Sequence, residues 1–145
     1  MFQADDYLTN GWVPPSNPND WQQDMLVLHN QQRSNRTELT MNDKLQAAAQ
    51  KHAEWMAATE TLSHTGENGS DMTSRINAEG YDWSTIGENV AYGYPTVQTV
   101  VKGWMESYGH RKNIMNPDFA EVGFGKGVAS NGMIYWCADF GRPMI

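Results

Sequence analysis

The chain has 145 residues, 39% of them apolar, and carries a net charge of -7 from 17 acidic and 10 basic residues. That length suits one domain able to bury roughly 70% of its unfolded surface, and Cys137, the lone cysteine, has no partner for an internal disulfide. The acidic balance, with Arg33, Arg36, Arg75, Arg111 and Lys112 scattered along the chain, argues against a nucleic-acid partner.

Residues 1–6, Met-Phe-Gln-Ala-Asp-Asp, show neither the basic nor the apolar stretch of a signal peptide. No apolar run is long enough to span a bilayer. Residues 1–19 read as an extended arm, because Pro14, Pro15 and Pro18 with Asn10, Gly11, Asn17 and Asn19 prevent regular structure. Tyr7, Leu8, Trp12 and Val13 are apolar enough to lie against the domain or against a partner. The domain itself is expected over residues 20–145.

Asp20 or Asn19 can cap a first helix from about Trp21 to Ser34, with Trp21, Met25, Leu28 and Gln32 along one stripe. A second helix starts after Asn42 or Asp43 and places Leu45, Ala48, Ala49, His52, Trp55, Met56 and Thr59 on one face, its alanines permitting close packing. Ser63–Ser70 reads as a loop. Asp71 then caps a short helix that stops before Gly80.

Ile86–Tyr92 reads as a strand. Thr96 caps a third main helix with Val97, Val100, Val101, Trp104, Met105 and Tyr108 on its apolar face, and Gly109 is expected to end it. In the next strand Gly123, Gly125 and Gly127 alternate with Val122, Phe124 and Val128 around Lys126, so another element or a bulky ring should approach that bare face closely. Ser130-Asn131-Gly132 signals a hairpin, and Ile134, Trp136, Ala138 and Phe140 alternate on the return strand. These elements predict an α+β domain, layered α–β–α around a small, mainly antiparallel sheet.

Six segments stand out in order: His29-Asn30-Gln31-Gln32-Arg33, Leu62-Ser63-His64-Thr65-Gly66, Gly87-Glu88-Asn89-Val90-Ala91-Tyr92-Gly93, Trp104-Met105-Glu106-Ser107-Tyr108-Gly109-His110-Arg111, Asn113-Ile114-Met115-Asn116-Pro117 and Tyr135-Trp136-Cys137-Ala138-Asp139-Phe140-Gly141. Together they resemble the CAP superfamily (cysteine-rich secretory, antigen 5 and pathogenesis-related proteins) over about Trp21 to Gly141. The Gly-His-Arg-x-Asn-Ile-Met-Asn-Pro stretch and the absence of paired cysteines resemble its bacterial branch. The resemblance implies a three-layer sandwich with an open cleft, and a secreted or cell-surface setting. It also implies a cleft cluster of His64, Glu88 and His110. A second glutamate of the eukaryotic pattern is replaced here by Ser107. Glu106 stands one residue earlier, about 100° away on a helix, and does not substitute for it. Gly66-Glu67-Asn68 repeats the Gly-Glu-Asn letters without the Val-Ala-Tyr-Gly that follows Glu88.

Two imidazoles and a carboxylate could hold zinc or another divalent metal, leaving one position open for water or substrate. Alternatively, Glu88 hydrogen-bonds the histidines and the cluster ties the layers together. Ser107 with His110 at i and i+3 is the pattern of a nucleophile and its base, but no elbow turn or oxyanion hole is recognisable around it. Cys137 reads as a packing residue, His29 as a hydrogen-bonding residue of the first helix and His52 as a buried helix histidine. Arg75 and Arg111 read as structural pairing residues, with Arg111 beside the cleft.

Three functions follow. The first is a surface domain that binds a small apolar or amphipathic ligand, a peptide or a protein partner in its cleft. The second is a metal-assisted hydrolase of peptide or cell-wall material, and the third an interaction domain working through its arm.

Overall fold

The computed structural model describes residues 20–145; the arm expected over residues 1–19 lies outside them. Five helices and four strands follow in the order α1 (Trp21–Gln32), β1 (Thr40–Met41), α2 (Asp43–Thr59), α3 (Met72–Ala78), β2 (Trp83–Tyr92), α4 (Val97–Met105), α5 (Tyr108–Met115), β3 (Glu121–Val128) and β4 (Ile134–Pro143). Local chemistry accounts for most boundaries. The Asn42 side chain accepts from the Lys44 and Leu45 amides at the start of α2, while Asp71 with Ser74 and Thr96 with Thr99 form reciprocal capping pairs on α3 and α4. Gly132, at φ 88°, supplies the left-handed residue of the β3–β4 hairpin.

The sheet order is β1-β3-β4-β2, with β1 parallel to β3 and the other pairs antiparallel. One sequence expectation needs correction. Gly109 does not end the helix that Thr96 begins; α4 stops at Met105, Ser107 is extended (φ -113°, ψ 125°), and Gly109 lies inside the new helix α5. The apolar stripe of α4 runs out at that point, and the polar Tyr108–Lys112 stretch carries no periodic signal of its own. The two-residue β1 was likewise too short to read.

Alternation along β4 assigns the layers. Trp136, Ala138 and Phe140 join Val122, Phe124, Trp104, Leu28 and Ile114 in the core beneath α1, α4 and α5. Cys137 and Tyr135 face the other way and pack with Ala49, Ala53, Met56 and Ala57 of α2. The glycines of β3 exist for that second layer: a Cβ on Gly125 would collide with the Ala49 main chain, and one on Gly123 with Gln46. The expected close approach is therefore that of a helix backbone.

Side chains also cover the sheet's edges, which would otherwise offer unpaired main-chain groups. Gln46 and Gln50 accept from the Phe124 and Lys126 amides of β3 at 2.7 and 2.9 Å. On β2, Asn113 Nδ2 donates to the Glu88 carbonyl at 3.1 Å and Trp104 Nε1 to the Val90 carbonyl at 3.2 Å.

Two buried side chains pin α1. His29 Nδ1 donates to the Met25 carbonyl at 2.7 Å, in keeping with the hydrogen-bonding role expected of it. Arg33, 1% exposed, donates to the carbonyls of Thr37, Ile114, Asn116 and Phe119. Its charge is met by carbonyls at the C-terminal end of α5, where the helix dipole is negative.

Candidate functional site

The site grows from the alternation of Gly87, Glu88 and Asn89 along β2. Glu88 is paired across the sheet with Asp139, so its side chain points into the α2–α3 layer beside Asp139 and Cys137 of β4. Gly87 and Asn89 point to the opposite face. A Cβ on Gly87 would lie 2.8 Å from the Phe119 ring and 3.1 Å from Asn113, which is why that position is bare. Asn89 is fully buried and donates to the His110 carbonyl at 3.0 Å, while Asn113 donates to the Asn89 side chain at 2.8 Å. These bonds hang α5 on β2.

Glu88 is the centre of the polar cluster, its side chain 1% exposed. Oε1 accepts from His64 Nδ1 at 2.9 Å and from an Arg75 terminal nitrogen at 2.9 Å, and Oε2 accepts from the same Arg75 nitrogen at 2.7 Å. Arg75 also donates to the carbonyls of His64 and Ser70, and so fixes the loop that carries His64. Burial pushes the Glu88 carboxyl up, but hydrogen bonds from His64 and Asp139 and the charge of Arg75 outweigh it and hold the group at about 2.

Asp139 is the counterpart. It is fully buried, and no donor faces its Oδ2. Burial, then the negative charge of Glu88, pushes its carboxyl well above the carboxylate range. Two adjacent buried carboxyls cannot both ionise cheaply, so Asp139 is the neutral acid and hydrogen-bonds the Glu88 carboxylate. The Cys137 thiol points at Glu88 Oε2 and Asp139 Oδ1 at 3.6 and 3.7 Å, and burial pushes it up as well. A buried, protonated thiol is inert.

The two expected histidines differ. His64 has an exposed ring (61%) whose hydrogen bond to Glu88 raises its pKa. His110 comes from α5, and its Nδ1 lies 3.0 Å from Ser107 Oγ. Burial, then the charge of His64, lowers its pKa. No hydrogen bond joins His110 to Glu88. Among the described residues, the metal-type donors lying within 4.8 Å of one another are those of Glu88, Cys137 and Asp139, a set without either histidine.

A pocket of about 490 Å³ adjoins the cluster, lined by His64, Thr65, Asp71, Met72, Thr73, Ile86, Gly87, Glu88 and Asn113. His110 is outside that lining. Glu106 is turned away, paired with Lys102 at 3.0 Å, and Glu67 is exposed in a 3-10 turn. His52, 1% exposed, donates from Nε2 to the Ser63 carbonyl at 2.7 Å and so anchors the start of the His64 loop, although its Nδ1 has no partner. Arg111 reaches the Met105 carbonyl at 3.5 Å.

Residues 19–140 match the model of the CAP, or cysteine-rich secretory protein, family. The chain belongs to the CAP family. It is 31% identical over 113 residues to the Bacillus subtilis (strain 168) protein YkwD, covering 77% of this chain and 44% of that one. This CAP domain thus spans less than half the length of that curated relative. An extracellular Bacillus anthracis protein containing an SCP domain superposes with a TM-score of 0.74 at 25% identity, over 90% of this chain and 45% of that one. An outer surface protein of Borrelia burgdorferi gives the same TM-score of 0.74 at 22% identity, over 84% of this chain and 94% of that one. Within the CAP domain, sequence reading picked out Glu88 but missed Asp139 and the pairing of Arg75 with Glu88. Asp139 was legible in principle: it alternates with the apolar Ala138 and Phe140 on β4 and so must face the other layer.

Proposed function

We propose that this CAP domain is the binding module of an extracellular or surface protein, taking a small amphipathic ligand or a peptide in the pocket beside His64. The carrying observation is the engagement of Glu88: both oxygens are committed to Arg75 and His64. A hydrolase that used Glu88 as its acid or base would need that carboxylate free to move a proton. The lining combines apolar Met72 and Ile86 with the polar His64, Thr65, Thr73 and Asn113, a mixture that suits an apolar body with one polar end. The extracellular and surface relatives support the setting.

The donors present also fit zinc, in a particular way. Among the described residues, Nε2 of both His64 and His110 is without a hydrogen-bond partner, whereas Glu88 sits behind His64 on its Nδ1. A carboxylate on the second nitrogen orients a metal-binding imidazole. His64 and His110 would therefore hold the ion, with Glu88 as the orienting group; bound zinc would supply a Lewis acid to a ligand's oxygen.

Titration calorimetry with fatty acids and short peptides, each with and without zinc, tests the reading. One ligand class should bind and lose at least tenfold in affinity in Met72→Glu, equivalent to about 1.4 kcal/mol. No binding by any member at about 1 mM, a free energy near 4 kcal/mol, would overturn it. Turnover of a peptide or cell-wall substrate with zinc, abolished in His64→Ala, would establish the hydrolase instead.

A further inference from the structure

Three helices open on a side chain that caps them: Asn42 bonds the Leu45 amide, Asp71 the Ser74 amide and Thr96 the Thr99 amide. α1 and α5 do not. Serine is among the strongest N-caps, and its hydroxyl ordinarily accepts from an amide two or three residues on. Ser107 makes no such bond. Its Oγ is turned instead to His110 Nδ1, at 3.0 Å.

The diversion brings three things together. A hydroxyl faces an imidazole nitrogen within hydrogen-bond reach, the arrangement that activates a serine nucleophile. The first amides of a helix have no intrahelical partner, and those following Ser107 receive none from its side chain. Gly109, in that first turn, has open space where a Cβ would stand, so a substrate can approach.

We propose that Ser107 is a nucleophile toward small carboxylic esters, with His110 as its base. Ser107 Oγ bonds to the ester's acyl carbon while its proton passes to His110 Nδ1, the other ring proton staying on Nε2. The bond from the acyl carbon to the alkoxy oxygen breaks, and that oxygen takes the proton from Nδ1 and leaves as the alcohol. Water then attacks the acyl-serine, giving its proton to His110 Nδ1. The proton returns to Ser107 Oγ as the carboxylic acid departs. The amides of Tyr108 and Gly109 are the donors available to the oxyanion. Among the described residues no carboxylate hydrogen-bonds His110, so the chemistry is slower than that of an enzyme with a complete triad.

The test is labelling of the whole chain with an alkyl fluorophosphonate in EDTA, followed by intact and peptide mass spectrometry. In the same step Ser107 Oγ bonds to phosphorus, fluoride leaves, and His110 takes the proton. One adduct on Ser107 is expected, absent in Ser107→Ala and formed at least tenfold more slowly in His110→Ala, in line with the usual contribution of a general base. Neither substitution removes a helix cap, and circular dichroism checks that both variants fold. An adduct confined to another residue such as Tyr108, no adduct at all, or a Ser107 adduct whose rate ignores His110→Ala would each overturn the proposal. EDTA and the absence of pocket ligands keep this outcome separate from the binding reading.

Discussion

The two faces of the sheet are built on opposite plans. Beneath α1, α4 and α5 the contact is made by large side chains, with Trp104, Trp136, Phe124 and Phe140 all at most 1% exposed. His29 sits among these rings, tilted against Phe124 at a centroid distance of 4.8 Å, with its pKa lowered to about 4 by burial. Beneath α2 the contact is made by absence of side chain, alanine on glycine, and the layer gives up apolar volume to a buried polar group around Glu88. A layer of large rings tolerates a shift by repacking. Main chain against main chain does not, and that rigidity suits the face holding His64, Arg75 and Glu88 in register.

The largest expected effect breaks the polar half of the second face. Arg75→Met strands a charged Glu88 at 1% exposure, and removing one partner of a buried pair costs about 3–5 kcal/mol. Denaturant unfolding measures it. If Arg75→Met together with Glu88→Gln is no more stable than Arg75→Met alone, the stranded charge is not the cause.

Gly125→Val tests the steric half. Its side chain meets the Ala49 main chain, and overpacking of that kind costs up to about 3 kcal/mol. Adding bulk to a ring-lined position of the other face, as in Ala138→Val, should cost less. Equal losses would erase the distinction between the layers.

Acid sharpens the comparison by separating the faces in pH. Burial, opposed by the hydrogen bond to Met25, lowers His29 from 6.5 to about 4. A base depressed in the folded state stabilises above its ordinary value, and that stability is lost as pH falls from 6.5 through 4. At about 1.4 kcal/mol per unit the loss approaches roughly 3 kcal/mol. His52 on the α2 face is lowered by burial and adds in the same direction. The depressed Glu88 carboxyl behaves differently: its contribution is present above 4.5 and is lost as pH falls toward 2. Unfolding midpoints should therefore fall between pH 6.5 and 4, with a shallower slope in His29→Gln, and fall again below 4.5 in a step that Glu88→Gln removes. A profile of His29→Gln parallel to wild type would contradict the first assignment.

The smallest effect is expected for Asp139→Asn. If Asp139 is a neutral acid hydrogen-bonded to Glu88, an amide donates in its place and stability at pH 7 changes by less than about 1 kcal/mol. A loss of several kcal/mol would mean that Asp139 carries charge. Cys137 should resist thiol reagents until the chain unfolds.

Much of this was legible in the residues themselves. Periodicity located α1, although Asp20 makes no side-chain cap there, and caps located α2, α3 and the start of α4, because those signals are local. The glycine alternation in β3 announced a close neighbour, and the turn at Asn131-Gly132 announced the hairpin. β1 and α5 were not legible, since one is two residues long and held by its pairing with β3, and the other is held to β2 by Asn89 and Asn113 rather than by an apolar stripe of its own.

The sequence by itself determined the family, the layered α+β class and the importance of Glu88, each resting on short-range pattern. Tertiary structure alone decided what Glu88 does. Its partners come from a loop, from α3 and from β4, brought within 4 Å by the pairing of β2 with β4 and the seating of α3 against β2. It also decided that Glu88 and Asn89 serve opposite layers, because alternation sends Glu88 toward Arg75 of α3 and Asn89, which carries α5, the other way. Protonation follows from the same placement. Glu88 is a carboxylate and Asp139 a neutral acid because Glu88 lies beside Arg75 and His64 and Asp139 behind it, an asymmetry that only the packed layers create.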